Sequence, residues 1–424
     1  MNVGLSTSVI QRGKSGVAQY VFALVDALSR QTARPDLTLF VLEEDLPLFE
    51  FAREYSRMVP VSERYRSPVK NILWHQTILP SLARAHRLDV LHIPSYRRML
   101  WPRPCALAAT IHDLAPFHVA DKYDWKRMFY GRVAARCFAR RQDKIIAVSQ
   151  NTATDVQGFF GVPEEKVSVI HNGLDHSRFS PDSNGAGKRF VIERFDLRKP
   201  FFLYVARLEH PAKNHARLIE AFNRFKAETG SEWQLVFAGS DWHGAKTIHA
   251  AINQSPFSRD IRSLGFVDND ALPMLYRAAS TFVYPSLFEG FGFPPLEAMA
   301  CGSPVLCSTR GALGEIVGGA AAIVDPEDVP ELQAKLSTFA RDPVLRAKLR
   351  AAGLARARRF DWERVATRTI EVYSAAAMAR VGVKAKGLNR LNELNGLNRD
   401  APPPCPVRDS VRPGEALDRG AIRI

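Results

Sequence analysis

Short apolar runs rich in β-branched and aromatic residues alternate with helical stretches along most of this chain, and that alternation constrains its fold more than any other feature. The opening MNVGLST reads as a buried strand, followed by a polar glycine-containing loop and a helix in which Val17, Val21, Leu24, Val25 and Leu28 recur at helical spacing. DLTLFVL (36–42), DVLHIP (89–94), ALAATIHD (106–113), DKIIAVS (143–149) and the segment Val167 to Ile170 repeat the strand pattern. Strands that alternate with helices predict a parallel sheet covered on both faces. Residues 180–189, SPDSNGAGKR, then read as a linker, and the pattern restarts with strands within 200–207, 233–240, 260–267, 280–286, 303–308 and 320–326.

Length agrees with this doubling, since 424 residues exceed the roughly 250–300 at which single cores stop growing. The reading is therefore two Rossmann-like, doubly wound parallel-sheet domains, residues 1–180 and 198–360, with a ligand cleft between them. A last helix beginning near Asp361 has Val365, Ile370 and Tyr373 as inward positions, and residues 381–424, with Pro, Gly and Asn repeats, read as a disordered or loosely helical tail. No apolar run approaches the ~20 residues that span a bilayer, and the opening lacks the basic and apolar regions of a signal peptide, so the cytoplasm is the expected address. Five scattered cysteines without metal-ligand spacing read as incidental thiols. The net charge of +14 predicts an anionic partner, whether phosphorylated substrate, anionic membrane or nucleic acid.

The most informative stretch is Glu289-Gly-Phe-Gly-Phe-Pro-Pro-Leu-Glu297, between a strand ending YPS and a helix through Ala298, Met299 and Ala300. Free backbone N–H groups and the helix dipole converge at such a junction, and Gly290 and Gly292 allow close backbone approach. Two carboxylates at this spacing can accept hydrogen bonds from two sets of hydroxyls, although Glu297 could equally cap its helix. A second strand ends in Val205-Ala-Arg207-Leu-Glu-His-Pro-Ala-Lys213, with two cations suited to phosphate oxygens. In the first half, His112 and Asp113 end a strand on the cleft side, and Gly16 lies at the first strand–helix junction in Arg12-Gly-Lys-Ser-Gly16-Val17, whose spacing is not that of a P-loop.

The Glu-x7-Glu spacing with its internal FGFP, the preceding YPS and the following EAMACGSPVLCS resemble the donor-binding signature of retaining GT-B glycosyltransferases, specifically glycosyltransferase family 4. The resemblance covers about residues 1–378 and implies a GT-B fold: residues 1–180 on the acceptor side, 198–360 binding the nucleotide sugar, and a crossover helix at 361–378 returning to the first domain. It implies that Arg207 and Lys213 face the donor diphosphate, that His112 lies beside the transferred sugar, and that Gly16, Val267, Ser286, Glu289, Gly290, Phe291, Gly292 and Glu297 line the donor site. Weaker cleft candidates are Ser149, Asn172, Gly173, Gly239 and Phe266.

The activity implied is retaining transfer of a sugar, mannose or a similar hexose, from a nucleotide-diphosphate donor to a saccharide or lipid-linked saccharide acceptor in polysaccharide biosynthesis. No cofactor and no metal are expected, the two cations standing in place of a divalent ion, and replacing Glu289 or Lys213 by Ala is expected to abolish turnover with folding intact. Nucleic-acid binding is not expected, for no motif appears. The basic, aromatic segments 122–144 and 96–104 suit contact with an anionic membrane at the inner face. Competing readings are a GT-B epimerase or phosphorylase and a catalytically silent binding protein. The intact set Arg207, Lys213, Glu289 and Glu297 argues against the last.

Overall fold

The computed structural model of the chain describes residues 1–13, 15–118, 134–182 and 184–397, and for Gln11 and residues 382–397 the backbone only. Among the described residues, a seven-stranded sheet contains β1 (Asn2–Ser6), β2 (Asp36–Leu42), β3 (Ser56–Val61), β4 (Val90–Ile93), β5 (Ala106–Ile111), β6 (Lys144–Ala147) and β7 (Val167–Val169) in the order β3-β2-β1-β4-β5-β6-β7. A six-stranded sheet contains β8 (Phe201–Val205), β9 (Gln234–Ala238), β10 (Ile261–Ser263), β11 (Thr281–Tyr284), β12 (Val305–Cys307) and β13 (Ala322–Ile323) in the order β10-β9-β8-β11-β12-β13. Every pairing in both sheets is parallel. Each sheet winds outward from its first strand and reverses once, at β1/β4 and at β8/β11, which are the doubly wound switch points where ligands bind beyond the carboxyl ends of strands.

Local chemistry explains the elements. β5, ALAATI, is buried at every residue, as a strand covered on both faces requires. The helix Gly16–Ser29 is capped by Ser15, whose hydroxyl accepts from Ala18 N at 3.1 Å, and it buries Val21, Leu24, Val25 and Leu28 against the first sheet. Edge strand β3, SRMVPV, escapes the sequence reading because Arg57 and Pro60 interrupt its apolar pattern. Proline is tolerated at an edge, where its missing N–H costs no ladder bond.

Two sequence expectations, the linker and the start of the second body, need correction. The segment read as a linker runs into a helix, Ala186–Phe195, that packs on the helix Ala271–Ala278: a Cβ on Gly187 would lie 2.8 Å from Arg277 Cβ, and Val191 belongs to the second core. The second body therefore begins before residue 198. The last helix runs Trp362–Leu397, so of the two readings of the tail, disordered or loosely helical, residues 381–397 take the helical one. Once its first turns are anchored, each further residue adds a hydrogen bond without a new nucleation cost, and no proline interrupts it before Pro402. Residues 398–424 lie outside the described residues, as do 122–133 of the basic segment.

The chain passes between the two cores twice. Ile170 belongs to the first core and Leu174 to the second; Phe360 belongs to the second and Trp362, Val365, Tyr373 and Ala376 to the first. The two passages touch: Leu174 N donates to Phe360 O at 3.2 Å, and a Cβ on Gly173 would lie 2.5 Å from Trp362 N.

Candidate active site

The switch point of the second sheet carries the charged centre. Lys213 follows β8, Glu289 follows β11, and Lys213 Nζ lies 2.6 Å from Glu289 Oε1, with each side chain 16% exposed. The same carboxylate oxygen accepts from the hydroxyls of Tyr284 at 2.8 Å and Ser286 at 2.7 Å. Burial alone would push this carboxyl up, but the charge and hydrogen bond of Lys213, with the two hydroxyls, outweigh burial and hold it below the ordinary carboxylate range. Glu297 has no cation at hydrogen-bond distance among the described residues. It accepts from Tyr276 Oη at 2.8 Å, and burial pushes its carboxyl up. The two acids of one motif are thus driven in opposite directions.

Arg207 stands apart from this pair. Nearly half exposed beyond β8, it lays its guanidinium over Trp242, 4.4 Å from the ring centroid, and lies 3.8 Å from Glu209. Phe291 is buried against Phe293 and Phe360, and its side chain is core rather than lining. Gly292 has φ +111° at the start of the helix Phe293–Ala300, a backbone that only glycine adopts readily. Val267 packs partly buried on the second core while its neighbour Phe266 is 76% exposed. Gly16 opens the helix Gly16–Ser29 with nothing near its absent Cβ. Asp268, in the segment Asp268-Asn269-Asp270, is occupied: it accepts from Ala271 N at 2.9 Å and from Arg194.

Gly290 differs from its expected role. A Cβ there would lie 1.9 Å from the carbonyl oxygen of His112 and 2.5 Å from Asp113 Cβ, so the missing side chain admits the other half of the protein and not a ligand. Ser149 Oγ and Thr152 Oγ1 lie 2.9 and 3.3 Å from the Gly290 carbonyl, and Phe288 stacks on His118 at 4.4 Å. Glu315 adds a contact that motif reading missed: its carboxylate accepts from Gln150 N at 2.9 Å, at the start of the helix Gln150–Phe160, and lies 2.5 Å from His171 Nε2. An acid after a buried ALG was the available signal, but nothing in sequence says that its partner lies 165 residues away.

These contacts bring His112 to the charged centre. Its ring bonds the Pro94 carbonyl, and Nε2 is buried with no partner among the described residues. A carbonyl only accepts, so Nδ1 carries the proton and Nε2 presents a lone pair. Burial holds this imidazole down to about 4, keeping it neutral. A fully buried chain steadies the ring: Tyr373 Oη lies 2.8 Å from His92 Nδ1, His92 Nε2 2.8 Å from Thr110 Oγ1, and Thr110 Oγ1 3.0 Å from Tyr20 Oη, whose ring meets His112 edge-on at 4.7 Å. Asp113 accepts from Ala115 N at 3.0 Å and shapes the loop.

Burial sets a pH dependence. His75, His92 and His215 are held to about 3 and His112 to about 4, against an ordinary 6.5. Below pH 6.5 the unfolded chain binds protons that the folded rings refuse. Their contribution is therefore complete above 6.5 and is lost as pH falls towards 4, at up to about 1.4 kcal/mol per pH unit for each ring. Urea midpoints measured from pH 7.5 to 4.5 should fall steeply below 6.5; a flat profile contradicts the burial of these rings.

Comparison with known proteins agrees with this architecture. Residues 188–356 match the family model described as Glycosyl transferases group 1, and residues 14–178 match Glycosyltransferase Family 4. O-antigen chain mannosyltransferase B of Escherichia coli is 29% identical over 398 residues, covering 88% of this chain and 99% of that protein. Glycogen synthase of Mycobacterium tuberculosis is 31% identical over 312 residues, covering 69% of this chain and 70% of that protein. The serotype-specific mannosyltransferase WbdA of Escherichia coli is 27% identical over 64% of this chain, which spans only 34% of WbdA's length. HepE of Anabaena, solved in complex with UDP-glucose, superposes with a TM-score of 0.70 at 21% identity, covering 88% of this chain and all of that one. With both halves matched and the doubly wound sheets in place, the chain belongs to the group 1 and family 4 glycosyltransferases and is a glycosyltransferase of GT-B fold.

Proposed function

We propose that the chain transfers mannose or a similar hexose, with retention, from a nucleotide-diphosphate donor to a saccharide or lipid-linked saccharide acceptor in polysaccharide biosynthesis. The observation that carries this reading is the Lys213–Glu289 pair at the β8/β11 switch point, brought against the His112 loop through Gly290. Mannose is favoured by the mannosyltransferases it resembles, and a nucleotide-diphosphate donor by the ligand of HepE.

In this reading Lys213 and Arg207 neutralise the departing diphosphate, the largest catalytic contribution, and do so in place of a divalent cation. Glu289, held as a carboxylate, accepts hydroxyls of the sugar. Glu297 meets the ribose, and the backbone N–H groups around Gly290, Phe291 and Gly292 and at Gly16 face donor oxygens. Ser286 orients Glu289, and Val267 borders the base by its backbone. His112, neutral with a free Nε2, accepts a sugar hydroxyl; it donates no proton. Retention follows, as the resemblance implies, from attack on the face the diphosphate leaves, without a side-chain nucleophile.

We place the reaction at the inner face of the cytoplasmic membrane. Trp101, half exposed beneath the Arg141 guanidinium at 4.3 Å, donates its backbone N–H to Gln76 Oε1 of the helix Pro68–Ala85, which exposes Val69 and Leu73 one turn apart. Such a basic, apolar face suits an anionic bilayer, and no helix among the described residues is long and apolar enough to cross one. Cosedimentation with phosphatidylglycerol vesicles, lost on Trp101→Ala, tests the contact.

The donor is tested by thermal unfolding with a panel of UDP-, GDP- and ADP-linked sugars. One nucleotide class should raise stability by about 2.7 kcal/mol at a hundredfold excess over Kd. Stabilisation by none of them, or full stabilisation of Arg207→Ala, would remove the donor assignment.

A further inference from the structure

Where the chain crosses between its halves, a cavity of about 120 Å³ opens between the outgoing passage at Ile170 to Asn172 and the returning passage at Phe360 to Arg368. Its chemistry is unlike that of a gap in packing. Asn172 is 1% exposed, yet neither its amide oxygen nor its amide nitrogen has a partner among the described residues. Arg364 and Arg368, one turn apart on the returning helix and both exposed to solvent, line the cavity, and no hydrogen bond or ion pair to either is found among the described residues. Asp361 also lines the cavity, its Oδ1 accepting from Glu363 N at 3.1 Å, so one acid faces the two arginines; Glu315 is held by His171 and Gln150.

We propose that this cavity binds a small phosphate-bearing anion, either inorganic phosphate or a phosphate monoester, at a site separate from the donor site. Two guanidinium groups on one helix face converge on tetrahedral oxyanions as neutral ligands cannot. A buried amide with both ends unpaired calls for a ligand that both accepts and donates, as hydrogen phosphate or an ester bearing a hydroxyl does. The volume of about 120 Å³ has room for a small oxyanion with water. A bound anion here ties the outgoing passage to the returning one, beside the Leu174–Phe360 hydrogen bond that already joins them.

The test titrates inorganic phosphate, and separately glycerol phosphate, into the full chain with the donor site saturated by a nucleoside diphosphate, followed by calorimetry. Binding should persist under saturation. It should weaken at least tenfold in Arg364→Ala/Arg368→Ala and severalfold in Asn172→Ala, with circular dichroism and unfolding temperature close to those of the parent. Arg207→Ala should leave this binding unchanged while losing nucleotide stabilisation, which separates the proposal from the donor assignment. Glycerol phosphate competing for the same arginines identifies an ester as the natural occupant, and binding of inorganic phosphate alone identifies the free anion. Phosphate fully displaced by the nucleoside diphosphate, or bound equally by the double arginine variant, overturns the proposal.

Discussion

Lys213→Ala is expected to lower turnover about a hundredfold and to destabilise the protein by about 3 kcal/mol at neutral pH. The catalytic loss follows from removing one of the two cations proposed to meet the leaving diphosphate. The stability loss follows from geometry: Glu289 would keep only the neutral hydroxyls of Ser286 and Tyr284 around a carboxylate that is 16% exposed. That burial adds a stability cost to the expectation from sequence, which had folding intact.

The sign of the pH dependence makes the explanation specific. In the parent, Lys213 holds the Glu289 carboxyl below its ordinary 4.5, so the pair stabilises the fold above that value and the benefit is lost as pH falls through the folded value. Without Lys213 burial dominates, the carboxyl rises, and protonation relieves the buried charge. The stability gap between parent and variant should therefore be widest near pH 7.5 and narrow towards pH 5. Lys213→Ala/Glu289→Gln should recover most of the stability and none of the turnover. Parent-like unfolding and turnover in Lys213→Ala would refute the pairing.

The parallel architecture was legible because continuous apolar runs such as ALAATI occur where a strand is covered on both faces, and because the motif residues follow strand ends. Edge strand β3 was not, since half-exposed residues need no apolar period. Arg207, Lys213, Glu289 and His112 could be named from type and spacing, but their mutual geometry could not. Lys213 and Glu289 lie 76 residues apart and meet only because β8 and β11 are neighbours across the switch point. Arg207, six residues before Lys213, instead turns to Trp242. Glycines were the least legible. Sequence marks Gly290 and Gly292 alike as points of close approach, yet Gly292 serves a left-handed backbone within its own half and Gly290 serves contact with the other half. Beyond residue 380 the Asn and Gly composition left disorder and loose helix both open, because it does not show that the anchored turns from Trp362 to Ala376 nucleate the helix.

That difference between the two glycines supports the second large prediction. In Gly290→Ala the new Cβ would meet the His112 carbonyl oxygen at 1.9 Å, and both atoms belong to backbone held elsewhere: His112 continues β5, and Glu289 pairs with Gly311 and accepts from Ala312 N at 2.8 Å. Neither loop yields easily, so relief requires the two halves to part, with loss of the contacts from Ser149 and Thr152 to the Gly290 carbonyl. A displacement of about 1 Å between the donor-side acids and His112 costs on the order of a hundredfold in turnover. The residues proposed to hold the donor, Arg207, Lys213, Glu289 and Glu297, all stay on one body, so donor affinity should change less than tenfold while kcat falls about a hundredfold. Gly292→Ala should behave in the opposite way, because its strained backbone and its 2.8 Å clash with Leu313 lie within the donor half, and it should weaken donor binding first. Parent kcat in Gly290→Ala would mean that the contact between the halves seen here is not the one in which sugar is transferred.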